Sequence, residues 1–215
     1  MSSPTPVCFA FDPLCPWCYQ TSRWIRRLAA LGEVSVEWRP FSLEVHNQGA
    51  DAARDGRAAR ALRTAVAVRD ADGADAVGAF YRELGARVHE RGEDVADPAV
   101  VAAALRDAGL DPARQDAALD DDATWQAVVA EHDALASGSG AFGVPTIVLD
   151  GGAGPAIFGP VISEPPADDD EAVELWRHVS WLARYEGFAE LKRDRTTAPD
   201  LESVRRHARE QAGRR

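Results

Sequence analysis

Two cysteines two residues apart carry the clearest chemistry in the chain: Cys15 and Cys18, in Phe11-Asp12-Pro13-Leu14-Cys15-Pro16-Trp17-Cys18-Tyr19. The motif follows an apolar run, Val7 to Phe11, that reads as a buried strand. It precedes a helical pattern with Trp24, Ile25, Leu28 and Leu31 on one face. At such a junction Cys15 falls at the helix start and Cys18 one turn in, so the two sulfurs can close a small disulfide. The chemistry is then thiol–disulfide exchange. Pro16 fits the first helical turn, where a missing N–H leaves no partner wanting. Cys15 would rest on the free N–H groups and positive dipole end of the helix, which favour a thiolate. The competing reading, half of a zinc site, lacks ligands. A structural zinc needs four, the only other cysteine is Cys8, and none of the five histidines pairs with another at zinc-finger spacing.

The elements that must position these sulfurs are legible on either side. Val34 to Arg39 alternates as a strand ending at Pro40, so strand, motif helix and strand form a βαβ unit. A Cys-x-x-Cys in that setting predicts a thioredoxin-like α/β fold. From Arg54 to Ser137 the pattern is almost entirely helical, with breaks at Asp72-Gly73, Gly92, Asp97-Pro98, Gly109 to Pro112 and Asp120 to Asp122. Asp97-Pro98 and Asp111-Pro112 each read as an N-cap followed by proline at the first helical position. This stretch is expected to be an inserted helical subdomain that both stabilises the fold and restricts access to Cys15. Ser137 to Gly140 reads as a flexible connector. Gly143 to Leu149 returns to a strand, and the Gly-rich turn after it leads into a hairpin partner at Ala156 to Gly159. Asp168 to Glu171 opens the last long helix, four acids suiting its positive end better than a metal. The expected division is residues 1–45 and 140–195 for the thioredoxin-like domain, 46–139 for the insertion, and 196–215 for a charged, partly disordered surface tail.

Bulk properties narrow the function classes. A net charge of -11 and a pI near 4.9 argue against nucleic acid or an anionic membrane surface as partner. There is no apolar stretch of the length a signal sequence or membrane span needs, so a cytoplasmic location and a resting dithiol are expected. No Gly-x-Gly-x-x-Gly opens a helix after a strand, so neither flavin nor NAD is expected. Lys192 is the only lysine among 24 basic residues, which fits a GC-rich genome.

The order strand, Cys-Pro-Trp-Cys, helix, strand, helical insertion, Val-Pro-Thr, hairpin, helix resembles the DsbA-like branch of the thioredoxin superfamily. Four blocks narrow the likeness: Phe11 to Cys18, Thr21 to Ile25, Phe158-Gly159-Pro160-Val161 and Glu190 to Arg193. They are similar to the actinobacterial mycothiol-dependent nitroreductase family, across nearly the whole chain. The resemblance implies that Cys15 is the nucleophile, Cys18 the resolving cysteine and Pro145 a cis-proline facing them. It also implies mycothiol, a low-molecular-weight thiol, as electron donor, with a disulfide or small-molecule substrate and no metal. Val144 departs from the family pattern, which has threonine before the proline.

Around the nucleophile, Pro16 and Trp17 form the spacer, with Trp17 expected as a flat exposed wall beside the sulfur. Asn47 matches a family position near the substrate; its other reading is a turn residue. His89 is placed either at the pocket, assisting proton transfer, or on a charged helix surface. Cys8 is expected to be buried and inert. The apolar face of the tryptophan-rich C-terminal helix could serve a homodimer or the monomer core. The competing functions are a DsbA-type protein disulfide oxidase or isomerase, a thiol-binding transferase or isomerase, which Cys18 argues against, and a non-enzymatic redox sensor.

Overall fold

The computed structural model describes residues 3–138 and 143–213. A four-stranded sheet of order β2–β1–β3–β4 lies at its centre, formed by β1 (Thr5–Phe11), β2 (Val34–Pro40), β3 (Thr146–Leu149) and β4 (Ala156–Phe158). β1 pairs parallel with β2 and antiparallel with β3, placing Phe9 between Trp38 and Ile147. β3 and β4 form the expected hairpin. β1 is an unbroken apolar run from Val7 to Phe11 because it is an inner strand, buried throughout that stretch.

The motif helix α1 (Pro16–Ala30) links β1 to β2. Its apolar stripe, Trp24, Ile25 and Leu28, is fully buried. Helix α9 (Asp169–Arg184) packs against it: the Trp24 indole donates to the Ala172 carbonyl at 3.0 Å and meets the Trp176 ring edge-on at 6.2 Å. The N-cap of α9 is Asp168, whose side chain accepts from Glu171 N–H at 2.8 Å, and Asp169, Asp170 and Glu171 fill its first turn.

Between β2 and β3 the chain is helical: α2 (Leu43–Gln48), α3 (Ala50–Ala53), α4 (Ala59–Asp72), α5 (Ala74–Gly85), α6 (Pro98–Asp107), α7 (Arg114–Asp120) and α8 (Asp122–Asp133). Two π-helical stretches, Ala86–Glu90 and Ala134–Gly138, prolong α5 and α8. Gly73, Gly92 and Gly109 fall at three of the expected breaks, all with positive φ. Part of the helical region has its own core, with Val45, Leu62, Val66, Trp125 and Val128 at its centre. Helix α5 instead joins the main core, where Tyr81 stacks on Phe11 at 4.1 Å.

Three expectations are corrected. Asp97 caps α6 as read, but Asp111 caps only a turn, accepting from Ala113 N–H at 2.9 Å, and α7 starts at Arg114. Ser137 and Gly138 finish a π-helical stretch, while Ser139 and Gly140, with the 139/140 boundary, lie outside the described residues. The tail forms α10 (Glu202–Ala212), anchored by buried Leu201, by Ser203 against His89 and by Arg206 donating to the Gly92 carbonyl. Polar contacts hold it where apolar periodicity is weak. Among the described residues no helix is long and apolar enough to cross a membrane.

Candidate active site

Cys15 is the N-cap residue of α1, with extended φ and ψ of -91° and 108°, and Pro16 follows at the first helical position. Its sulfur takes the place of a capping oxygen, accepting from Cys18 N–H at 3.3 Å. The cysteines are free thiols. The Cys18 thiol and the backbone N–H groups of Cys18 and Trp17 hold the Cys15 pKa below the ordinary thiol value, against burial and the nearby Asp12 charge. Cys18 is the opposite case. It is buried, its thiol donates to the Ala10 carbonyl at 3.6 Å, and burial raises its pKa well above normal. The two sulfurs therefore differ in their hold on a proton, weaker at Cys15 and stronger at Cys18. Cys8, on β1, has its thiol pushed up to about 11 by burial.

Facing the motif, the Val144–Pro145 peptide bond is cis, and the Val144 carbonyl lies 3.7 Å from the Cys15 sulfur, an acceptor for its thiol form. Cys15 is only 7% exposed and is reached through a cleft of about 220 Å³. Trp17, Leu43, Val144, Phe158, Val161 and Arg195 line it with Cys15. The walls are mostly apolar, and the Arg195 guanidinium sits 5.3 Å from the centre of the Trp17 ring. The wall at 158–161 is fastened to α1, since the Thr21 hydroxyl donates to the Pro160 carbonyl at 2.8 Å and the Gln20 amide to Ser163 at 2.8 Å.

Asp12 is completely buried below the motif. One carboxylate oxygen accepts from Leu14 N–H and the other from Leu43 N–H, each at 2.7 Å, tying the active-site loop to the start of α2. Burial outweighs those bonds and lifts its pKa to about 7. His89, on the first π-helical stretch, is buried at 1% exposure. Its Nε2 lies 3.0 Å from the Pro13 carbonyl and its Nδ1 2.9 Å from the Ser203 hydroxyl. A carbonyl only accepts, so Nε2 carries the proton and Nδ1 accepts from Ser203. The ring stacks on Tyr19 at 5.2 Å, and burial lowers its pKa to about 4.

Of the residues singled out from sequence, Cys15, Trp17 and Val144 line one cleft, with Pro145 beside them and Cys18 beneath. Pro16 and His89 border a second cleft, which Trp17 also lines. Asn47 is exposed in the last turn of α2, one turn beyond Leu43. Asp12, Leu43 and Arg195 went unassigned. A lone acid closing an apolar strand was a usable signal for Asp12; nothing local marks Arg195, which reaches the site from the far end of the chain.

A cysteine N-cap with a lowered pKa, a buried partner cysteine and the Val144–Pro145 segment facing them on this sheet mark a DsbA-like, thioredoxin-fold thiol–disulfide oxidoreductase. The family model described as Rv2466c-like, mycothiol-dependent nitroreductase Rv2466c, matches residues 14–193, and the chain belongs to that family. It is 37% identical over 209 residues to protein Rv2286c of Mycobacterium tuberculosis (strain ATCC 25618 / H37Rv), spanning 95% of this chain and 88% of that one. Its fold is similar to the cytosolic disulfide reductase DsbM of Pseudomonas aeruginosa, solved with GSH (TM-score 0.59, 16% identity, 81% and 99% of the two chains). It is also similar to the thiol-disulfide exchange protein alpha-DsbA2 of Wolbachia pipientis (TM-score 0.58, 16% identity, 84% and 83%).

Proposed function

We propose that the chain is a cytoplasmic, mycothiol-dependent reductase of small disulfides and nitro compounds, with Cys15 as nucleophile, Cys18 as resolving thiol and Pro145 closing the site opposite them. The observation that carries this reading is the asymmetry of the two sulfurs. Cys15 is stabilised as thiolate at the helix N-terminus and opens to the cleft, while Cys18 is buried and protonated.

With a disulfide substrate, the Cys15 thiolate attacks one sulfur, an S–S bond forms to Cys15, and the other half leaves as thiolate. Cys18 then loses its proton and attacks the Cys15 sulfur, releasing the second half and forming the Cys15–Cys18 disulfide. Two mycothiol molecules restore the dithiol. The first opens that disulfide as a mixed disulfide on Cys15 and the second displaces it, leaving oxidised mycothiol. Each cycle moves two electrons and two protons from mycothiol to substrate. The same pair of electrons takes a nitro group to nitroso and water. The apolar cleft with Arg195 on its rim suits a flat electrophile carrying hydrogen-bond acceptors.

The narrowness of this cleft argues against a broad peptide-binding groove, and so against a protein disulfide oxidase. Turnover of a disulfide and a nitroaromatic with reduced mycothiol as sole donor tests the proposal, with glutathione as control thiol. Wild type should turn over with mycothiol, Cys15→Ser should lose all turnover, and Cys18→Ser should stall as a mixed disulfide visible by intact mass. Full activity in Cys15→Ser, or oxidation of reduced protein without mycothiol turnover, rejects it.

A further inference from the structure

Trp17 also borders a second, larger cleft of about 700 Å³, which Cys15 does not line, within the roughly 300–1,000 Å³ usual for small-molecule sites. Leu14, Pro16 and Trp17 form its active-site wall, so it begins on both sides of Cys15 in sequence. The opposite wall is α10 and the segment before it, including Ala198, Ser203, Arg206 and Glu210, all beyond the residues matched by the family model. The wall is fixed in place by the Ser203–His89 hydrogen bond and the Arg206 contact to Gly92.

The lining differs in kind from that of the Cys15 cleft. Arg57, Glu93, Asp94, Arg206 and Glu210 bring both charge signs into it, and the charges are already matched. Arg57 meets Asp94 at 2.9 Å, Arg206 meets Glu210 at 3.8 Å, and Glu93 meets Arg87 at 3.0 Å. A site with matched charges gives no net attraction to phosphate or carboxylate. It does offer carboxylate acceptors, guanidinium donors and an indole face, an array that fits a ligand whose hydroxyls both donate and accept.

We propose that this second cleft binds the glycoside portion of the reducing thiol, a neutral polyhydroxylated group, while the thiol's sulfur passes Trp17 to reach Cys15. The inference rests on the mycothiol reading, mycothiol being an acetylated cysteine carried on a glucosaminyl-inositol. It divides the site: electrophile in the apolar cleft, polyol in the polar one, with Trp17 the partition.

The test is calorimetric titration of the reduced full chain with S-methylated mycothiol, which cannot react, and with N-acetyl-S-methylcysteine, which lacks the sugar. Wild type should bind the glycoside at least tenfold more tightly. Ala198→Trp, a substitution at an exposed position that fills the cleft, should erase that preference, and Glu210→Gln should reduce it severalfold. Equal binding of the two probes by wild type, or an undiminished preference in Ala198→Trp, overturns the inference. Mycothiol turnover, measured in parallel, reports on the other reading alone. Turnover without glycoside preference removes the second cleft's role, and preference without turnover removes the reductase.

Discussion

Asp12 brings a pH dependence of its own to the site, beside that of the cysteines. Its carboxyl is raised to about 7, so the folded chain holds a proton there that the unfolded chain releases near 4. The stability this group contributes is full below its unfolded value and is lost as pH rises to about 7. His89, lowered to about 4, has the opposite slope, its contribution being lost as pH falls from about 6.5 toward 4. Asp12→Asn should therefore abolish one slope and leave the other, so wild type should lose stability relative to the variant as pH rises from 4 to 8. Denaturant melts at several pH values read this directly. An unchanged difference would show that Asp12 is ionised at no unusual cost. Because the Asp12 charge also opposes thiolate formation at Cys15, the alkylation midpoint of Cys15 should fall in the same variant.

Among the elements, α5 shows what periodicity could and could not disclose. Its helical character and its start were legible, from the break at Asp72-Gly73, whereas the next expected break, Gly92, lies beyond the π-helical stretch that prolongs it. What the sequence left hidden is how closely it approaches its neighbours. A Cβ at Gly78 would come 2.6 Å from the Trp38 indole, and one at Gly85 would run into the Tyr19 ring. These glycines are seven residues apart, two turns along one face, and let α5 lie against both β2 and the motif helix. Gly85→Ala should cost about 1–3 kcal/mol in overpacking, and because Tyr19 directly follows Cys18 it should also slow turnover. Thermal melts and steady-state rates check both, and a silent substitution would mean the Tyr19 ring moves freely aside. Similarly, β1, α1 and β2 were readable because a strand, a Cys-Pro-Trp-Cys and a strand are each local patterns. Helix α10 was not: Leu201 is its buried apolar anchor, and the hydrogen bonds that tie it to the rest of the fold join residues more than a hundred positions apart, as Ser203 joins His89.

Across the whole molecule, the Cys15 sulfur sits where N-terminal and C-terminal segments come together. The strand and helix that carry it come from the first thirty residues, while Arg195 lines its cleft and α10 lines the neighbouring one, both from the last twenty-one. The arrangement gives one residue an unusual vantage. Trp24, Trp38, Trp125 and Trp176 are buried in packed surroundings, and Trp181 is 63% exposed on α9. Trp17 alone stands between the active cysteines in sequence and lines both clefts. Its emission should register the redox state of the sulfurs beside it, since a disulfide accepts an excited electron far more readily than two thiols. Oxidation of the reduced protein should quench emission, and Trp17→Phe should remove most of the change; equal quenching in that variant would locate the response elsewhere. The indole that borders both clefts is thus also a built-in optical gauge, by which the electron count of the Cys15–Cys18 pair can be followed without dye or label.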